Sequence, residues 1–332
     1  MFYAQAITSL GGPDVISRIA LDEPELDDGQ VLIEVQATSY NNIDAILRKE
    51  DFGLPFPIVP GTDVVGRIVS GSQLGQRVIV NPSIPCGECN KCLSGGLCEY
   101  VHILGVNCPG GYGRFIKVPA NQCYPLPENI PTEIAAAAPL TFLTAWRMLN
   151  TKACVARGDR VVIWGATGAL GSTAISLVRH LGGVPIAVVR SKKFIDRLIN
   201  HGAEYVVLAD EVEQMVNELT DGSGAEVVFE GPGTPTWITS LRMLAQGGRL
   251  VTAGVTGGKD GVTDIEDLYY KQVTIFGSRM GYQHEFEEAI SLLISGAAKP
   301  LIDSVMPIAQ AQKVHEIVER GDRCGKIVML HE

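Results

Sequence analysis

Short apolar runs rich in Val and Ile, each closed by Gly, Pro or Asp, set the rhythm of the first third of the chain. Residues 2–8, 15–21, 31–37, 64–70 and 77–80 read as strands, and 115–118 adds another. Helical spacing interrupts once, where Ile43, Ile46 and Leu47 share a face behind Asn41 or Asn42, either of which suits an N-cap. A second helical stretch covers 132–150, alanine-rich at first and broken near Pro139.

From residue 161 the pattern changes to strands alternating with helical text. Strands are expected at 161–164, 186–189, 205–208, 226–229, 249–253 and 273–276. Six strands joined in this way predict an α/β unit with a doubly wound parallel sheet and a ligand outside the carboxyl ends of its strands. The stretch 161–178 has no charged residue, but three glycines, Thr167, Ser172 and Thr173 dilute it, so it reads as buried sheet and helix and not as a membrane span.

The first strand of this sheet runs into Gly165-Ala166-Thr167-Gly168-Ala169-Leu170-Gly171. Gly165 can turn sharply, Gly168 lets backbone approach a ligand, and Gly171 lets helix pack on strand. The helix then offers unpaired N–H groups to a pyrophosphate. The second strand ends at Arg190-Ser191-Lys192-Lys193, without the carboxylate that would accept from a free ribose hydroxyl. Arg190 can pair bidentately with a 2'-phosphate, Ser191 can donate to it, and Lys192 or Lys193 adds charge, so the expected cofactor is NADP(H). Cations opening a helix also oppose its dipole, which weighs against a purely solvated role.

Cys86, Cys89, Cys92 and Cys98 crowd into one loop at metal-type spacing. Four thiolates can close a tetrahedral Zn2+ site with no position left for substrate, so a structural zinc is expected, with an iron-sulfur centre as the rival metal. Cys108 is the less suitable fourth ligand because Pro109-Gly110-Gly111 turns the chain away.

Composition narrows the partners. With 332 residues, 46% hydrophobic and 19% charged, the chain suits a globular protein of about two domains. A net charge of -10 and the lack of a basic run argue against nucleic acid. The first six residues lack the pattern of a secretory signal, and the other four cysteines are scattered, which together predict a cytoplasmic, reduced protein.

The order of these parts resembles the medium-chain dehydrogenase/reductase superfamily, which includes zinc alcohol dehydrogenases and quinone oxidoreductases. The pieces that carry the likeness are Pro60-Gly61-Thr62-Asp63, the cysteine loop, Gly110-Gly111-Tyr112, residues 139–146, the glycine turn, Gly247-Gly248-Arg249, Phe276-Gly277-Ser278 and Gly325-Lys326-Ile327-Val328. The resemblance implies a GroES-like β-rich catalytic domain at 1–141 and 281–332, holding the zinc lobe 86–98, and a Rossmann NADP(H)-binding domain at 142–280. It also implies a small-molecule substrate, Ser278 among the cofactor residues, and a homodimer or homotetramer paired through the last strand of the nucleotide sheet.

The departures from the family are more specific. Its zinc alcohol dehydrogenases hold a catalytic zinc with a Cys where this chain has Asn41, with His and Glu where it has Thr62 and Asp63, and with Cys or Asp where it has Leu140. One carboxylate cannot hold a catalytic zinc, which needs three protein ligands. The pattern resembles the quinone and enone or enoyl reductase branches, so the expected activity is NADPH-dependent hydride transfer to an activated carbonyl or conjugated acceptor without catalytic zinc. Expected site residues are Asn41 as hydrogen-bond donor to the substrate oxygen, Thr144 facing the nicotinamide, and Tyr40 or Tyr112 as substrate contact or proton source. Two alternatives stay open: a zinc-type alcohol dehydrogenase recruiting metal through Asp63, and a non-enzymatic NADPH-binding protein.

Overall fold

In the computed structural model, which describes every residue except Gly95, the chain divides into two compact units. Unit 1 comprises Met1–Leu140, Gly281–Gly296 and Ile302–Glu332, and unit 2 comprises Thr141–Met280 with Ala297–Leu301. Unit 1 opens with β1 (Phe2–Ile7), β2 (Ile16–Leu21), β3 (Gln30–Ser39), β4 (Val65–Ser70), β5 (Arg77–Val80), β6 (Ser83–Ile84), β7 (His102–Ile103), β8 (Phe115–Pro119) and β9 (Cys123–Pro125). Unit 2 supplies β10 (Arg160–Ile163), β11 (Val184–Val189), β12 (Tyr205–Leu208), β13 (Ala225–Glu230), β14 (Leu244–Thr252) and β15 (Thr274–Gly277). The chain then returns to unit 1 with β16 (Ile302–Pro307) and β17 (Lys326–Leu330). Strands expected from the apolar runs all form, within a few residues of the expected limits.

The main sheet of unit 1 has the order β16-β17-β3-β4-β5-β9, with β8 also paired to β3. Its central strands alternate Val and Ile into a buried cluster that includes Val31, Ile33, Val35, Val64, Ile68, Val78, Val80, Ile116 and Val118. Burying each such side chain is worth roughly 1.5–3 kcal/mol, so this cluster anchors the unit and fixes register. Register matters for the site. Val328 of β17 faces Ser39 of β3, and Ala37 of β3 faces Val65 of β4. The carboxyl end of β3, the entry to β4 and the start of β17 therefore converge, bringing Ser39-Tyr40-Asn41, Thr62-Asp63 and Lys326 together.

Unit 2 is a six-stranded parallel sheet in the order β12-β11-β10-β13-β14-β15, with the order reversing on either side of β10. This is the doubly wound dinucleotide-binding arrangement, whose ligand crevice lies beyond the carboxyl end of the strands at the reversal. Val162, Ile186, Val188, Val228 and Leu250 form part of the core on one face of the sheet. The helical stretch expected at 132–150 is three pieces: Thr132–Ala136, Pro139–Trp146 and a π-helical segment Arg147–Lys152. Among the described residues, no helix is long and apolar enough to cross a membrane.

Candidate active site

Asn41 occupies the N-cap position of the helix Asn42–Lys49, and its backbone N–H donates to the Asp44 carboxylate at 2.9 Å. Its side chain faces Thr62, Asp63 and Lys326. The two amide hydrogens go to Thr62 Oγ1 at 2.6 Å and Asp63 Oδ2 at 2.8 Å, while the amide oxygen accepts from Lys326 Nζ at 2.6 Å. Asn41 is only 5% exposed and its amide is fully committed within unit 1.

Lys326 is the centre of this cluster. Its ammonium, buried with the rest of the residue, lies 2.6 Å from Asp63 Oδ2, 2.9 Å from Ser39 Oγ and 3.2 Å from the Tyr40 carbonyl besides Asn41, so three N–H groups are shared among four acceptors. Burial lowers its pKa, and the Asp63 carboxylate works against that by favouring the charged form. The other Asp63 oxygen accepts the Leu140 N–H at 2.7 Å, and Ser39 donates to Oδ2. A cation and a carboxylate thus share a buried space in which Asp63 accepts from four donors, three on Oδ2 and one on Oδ1.

The remaining sequence-derived candidates fall in different surroundings. Tyr40 is 3% exposed, with the His315 ring edge-on to it at 4.8 Å, and burial raises its pKa. Tyr112 is 0% exposed and its hydroxyl lies 3.1 Å from His315 Nε2. Thr144 belongs to unit 2, buried within the helix Pro139–Trp146. Lys326, Ser39 and His315 were not singled out by the sequence as site residues.

In unit 2 the glycine turn has the form its spacing implies. Gly165 takes φ +63, and a Cβ on Gly171 would meet the Gly165 carbonyl oxygen at 2.4 Å. Gly168 precedes the 12-residue helix Ala169–His180, whose first-turn amides have no intrahelical acceptor. At the end of β11, Arg190, Ser191 and Lys192 are exposed, and among the described residues Arg190 and Lys192 have no ion-pair partner. Just past β15, the Ser278 side-chain oxygen is buried without a hydrogen-bond partner. An orphaned hydroxyl, free cations and a donor-lined helix start fit a phosphorylated nucleotide. Gly171→Ala should therefore weaken binding of a nicotinamide cofactor, because the turn must open to admit the methyl group. A calorimetric titration giving wild-type affinity would refute that expectation.

The four cysteine side chains of the loop between β6 and β7 come together, with all Sγ atoms within 4.8 Å of one another. Adjacent pairs lie at 3.5–4.0 Å, close to the separation of about 3.8 Å set by tetrahedral zinc with Zn–S near 2.3 Å. Backbone N–H groups of Cys86 and Tyr100 point at Cys98 Sγ, both at 3.3 Å, as expected for a charged thiolate. Cys108 lies outside the group, with its thiol donating to the Ile103 carbonyl. No second group of three or more metal-ligating side chains occurs among the described residues.

Comparison with known proteins agrees with both units. The family model of the alcohol dehydrogenase GroES-like domain matches residues 27–128, and that of the zinc-binding dehydrogenase matches 169–295. An uncharacterised zinc-type alcohol dehydrogenase-like protein of Haemophilus influenzae is 31% identical, over 81% of each chain. The quinone oxidoreductase of Homo sapiens is 25% identical, over 98% of this chain and 97% of its own. The crystal structure of an NAD-dependent alcohol dehydrogenase superposes with TM-score 0.94 at 31% identity, covering 99% of both chains. The parallel sheet, the glycine turn, the cysteine lobe and these matches together make the chain a member of the medium-chain dehydrogenase/reductase superfamily, an oxidoreductase with a GroES-like and a Rossmann domain.

Proposed function

We propose that this enzyme uses NADPH to reduce quinones, enones or related activated carbonyl compounds, without a catalytic metal and with zinc confined to the cysteine lobe. The observation that carries the reading is the donor set around Asp63. Of the four positions at which the zinc alcohol dehydrogenases place ligands, only Asp63 has a ligating side chain, and both its oxygens are already hydrogen-bonded. Lys326 supplies there the positive charge that a metal would otherwise bring. With no Lewis acid to polarise a simple aldehyde, substrates that are already electrophilic are favoured.

When bound, NADPH would supply the hydride; the glycine turn would hold its pyrophosphate, Arg190, Ser191 and Lys192 would hold its 2'-phosphate, and the Ser278 hydroxyl would be a further contact. On the substrate side the chain must stabilise charge growing on oxygen. We assign this to the Asn41 amide, which gives up Thr62 as acceptor in exchange. A developing oxyanion accepts more strongly than a neutral hydroxyl, so the exchange grows more favourable toward the transition state. The Lys326 ammonium on the Asn41 carbonyl polarises the amide and strengthens that donation. Thr144 is the second donor, by its match to the family threonine. The exposed edge strand β15 is the proposed pairing surface of a homodimer.

The test is a substrate screen that follows NADPH absorbance. Quinones and enones should be turned over while simple aldehydes and alcohols are not. Efficient alcohol oxidation would favour the zinc-type dehydrogenase instead, and tight NADPH binding with no turnover of any acceptor would favour a binding protein.

A further inference from the structure

The helix Ala169–His180, which starts at the glycine turn, is held by an apolar face, with Ala174, Ile175, Leu177 and Val178 fully buried. Two polar tethers are added on consecutive residues near its start. His201 Nε2 donates to the Ser172 carbonyl at 3.0 Å, as it must, since a carbonyl only accepts. His201 closes the helix Ile195–Asn200, so this tether runs toward the segment that follows β11. The second tether runs to another helix. The Thr173 hydroxyl lies 3.2 Å from the hydroxyl of Thr141, which belongs to the helix Pro139–Trp146. Both threonines are buried, and Thr141, Thr173 and His201 all lie in unit 2.

Thr173 does not need Thr141 to satisfy its hydroxyl. It already has the Ala169 carbonyl at 2.9 Å, the back-bond to the preceding turn that a helical threonine can make. Nor does the helix need Thr141 in order to dock, because burial of its four apolar side chains is the larger contribution. That burial is non-directional, however, whereas a hydrogen bond weakens steeply as its geometry is lost. What the hydroxyl pair adds is register between the two helices. Thr141 precedes Thr144 by one turn, and residues three apart on a helix are neighbours. Fixing Thr141 against the start of Ala169–His180 therefore also fixes Thr144 relative to the glycine turn.

We propose that Thr173 and Thr141 are positioning residues for hydride transfer: their hydrogen bond sets the distance between the turn that would hold the cofactor pyrophosphate and Thr144 beside the nicotinamide. The proposal rests on the reading of Thr144 as facing the nicotinamide. Affinity and presentation are then controlled separately. The glycine turn and the helix start set how tightly the cofactor is held, while the register of Pro139–Trp146 sets how its reacting end is presented. Hydride transfer needs reacting atoms about 3–3.5 Å apart, and a misplacement of about 1 Å by a remote change can cost about 100-fold. One hydrogen bond removed from an otherwise packed helix pair shifts it by less than that, so a loss of about tenfold is expected.

The test takes three readouts on the intact enzyme: calorimetric affinity for NADPH, the fluorescence lifetime of the nicotinamide in the binary complex, and the single-turnover rate of hydride transfer to a quinone. Thr173→Val keeps the shape and removes the hydroxyl. It should bind NADPH within about twofold of wild type, shorten the nicotinamide lifetime toward that of the free cofactor, and slow hydride transfer by about tenfold. Thr173→Ser keeps the hydroxyl and should restore lifetime and rate. Thr141→Val should repeat the valine pattern, and the double valine variant should be little slower than either alone, because both changes remove the same bond. A merely structural role would lower the melting temperature and leave the lifetime of bound cofactor unchanged. The proposal is overturned when Thr173→Val keeps the wild-type lifetime and rate, when affinity falls as far as the rate, or when Thr173→Ser restores neither. Should Thr173→Val not fold, Thr141→Val and Thr141→Ser carry the same comparison. A wild type that reduces no quinone refutes the proposed function, while affinity and lifetime still decide the Thr141–Thr173 linkage.

Discussion

Replacing Lys326 by Met should destabilise unit 1 by about 3–5 kcal/mol, the usual cost of leaving one partner of a buried ion pair alone. Asp63 would stay in place, 0% exposed, with its negative charge answered only by the Ser39 hydroxyl, the Asn41 amide and the Leu140 N–H. Asn41 would lose the cation on its carbonyl, so kcat should fall in whatever fraction still folds. Replacing Asp63 by Leu as well should recover much of the stability, since an apolar pair of similar volume removes the uncompensated charge, yet it should not recover activity. Urea unfolding followed by far-UV circular dichroism measures both variants. Trp146, Trp164 and Trp237, the three tryptophans of the chain, all lie in unit 2, so their fluorescence reports the other unit separately. A single variant that unfolds at the wild-type midpoint would show the ion pair to be unimportant.

Arg190→Asp should weaken NADPH binding by roughly 100-fold or more. Two charge-assisted hydrogen bonds, each worth about 1.5–3 kcal/mol, are lost, and like charges are brought together. NADH binding should hold or improve, because a carboxylate at the end of β11 can accept from the free ribose hydroxyl. Arg190 is exposed and has no ion-pair partner among the described residues, so the change should leave the fold intact and calorimetric titration with each cofactor compares binding alone. Equal loss of both affinities would show that Arg190 does not read the phosphate.

Most of the architecture was legible because its signals are local. The Val- and Ile-rich runs, the switch to alternation with helices at residue 161 and the spacing of Gly165, Gly168 and Gly171 each report on a few neighbouring residues. The cysteine lobe was legible for the same reason, since its four ligands lie within 13 residues and the fold closes them into one group. Strands of two residues, β6 and β7, are too short to carry any period, and β17 was visible only through the family's Gly-Lys-Ile-Val run.

The polar cluster is another matter. Lys326 meets Asp63 from 263 residues away, and His315 meets Arg48 from 267, pairings that a single sequence does not record. Asp44 illustrates both sides. It accepts the N-cap amide in the first turn of its helix, a local contact, but its full burial and its second contact, the Gly61 N–H, come from packing that no short stretch of sequence records. Asn41, expected to offer a free amide, is instead held on both hydrogens. In the proposed reduction it would therefore have to trade an internal acceptor for the substrate.

The most direct check on the central claim is metal content and quinone turnover measured on the same purified sample, before and after dialysis against a chelator that strips loosely held ions. The prediction is about one zinc per chain, retained by the four thiolates, with NADPH-dependent quinone reduction unchanged by the treatment. About two zinc ions per chain, with activity lost as the second is removed and regained when it is restored, would contradict it.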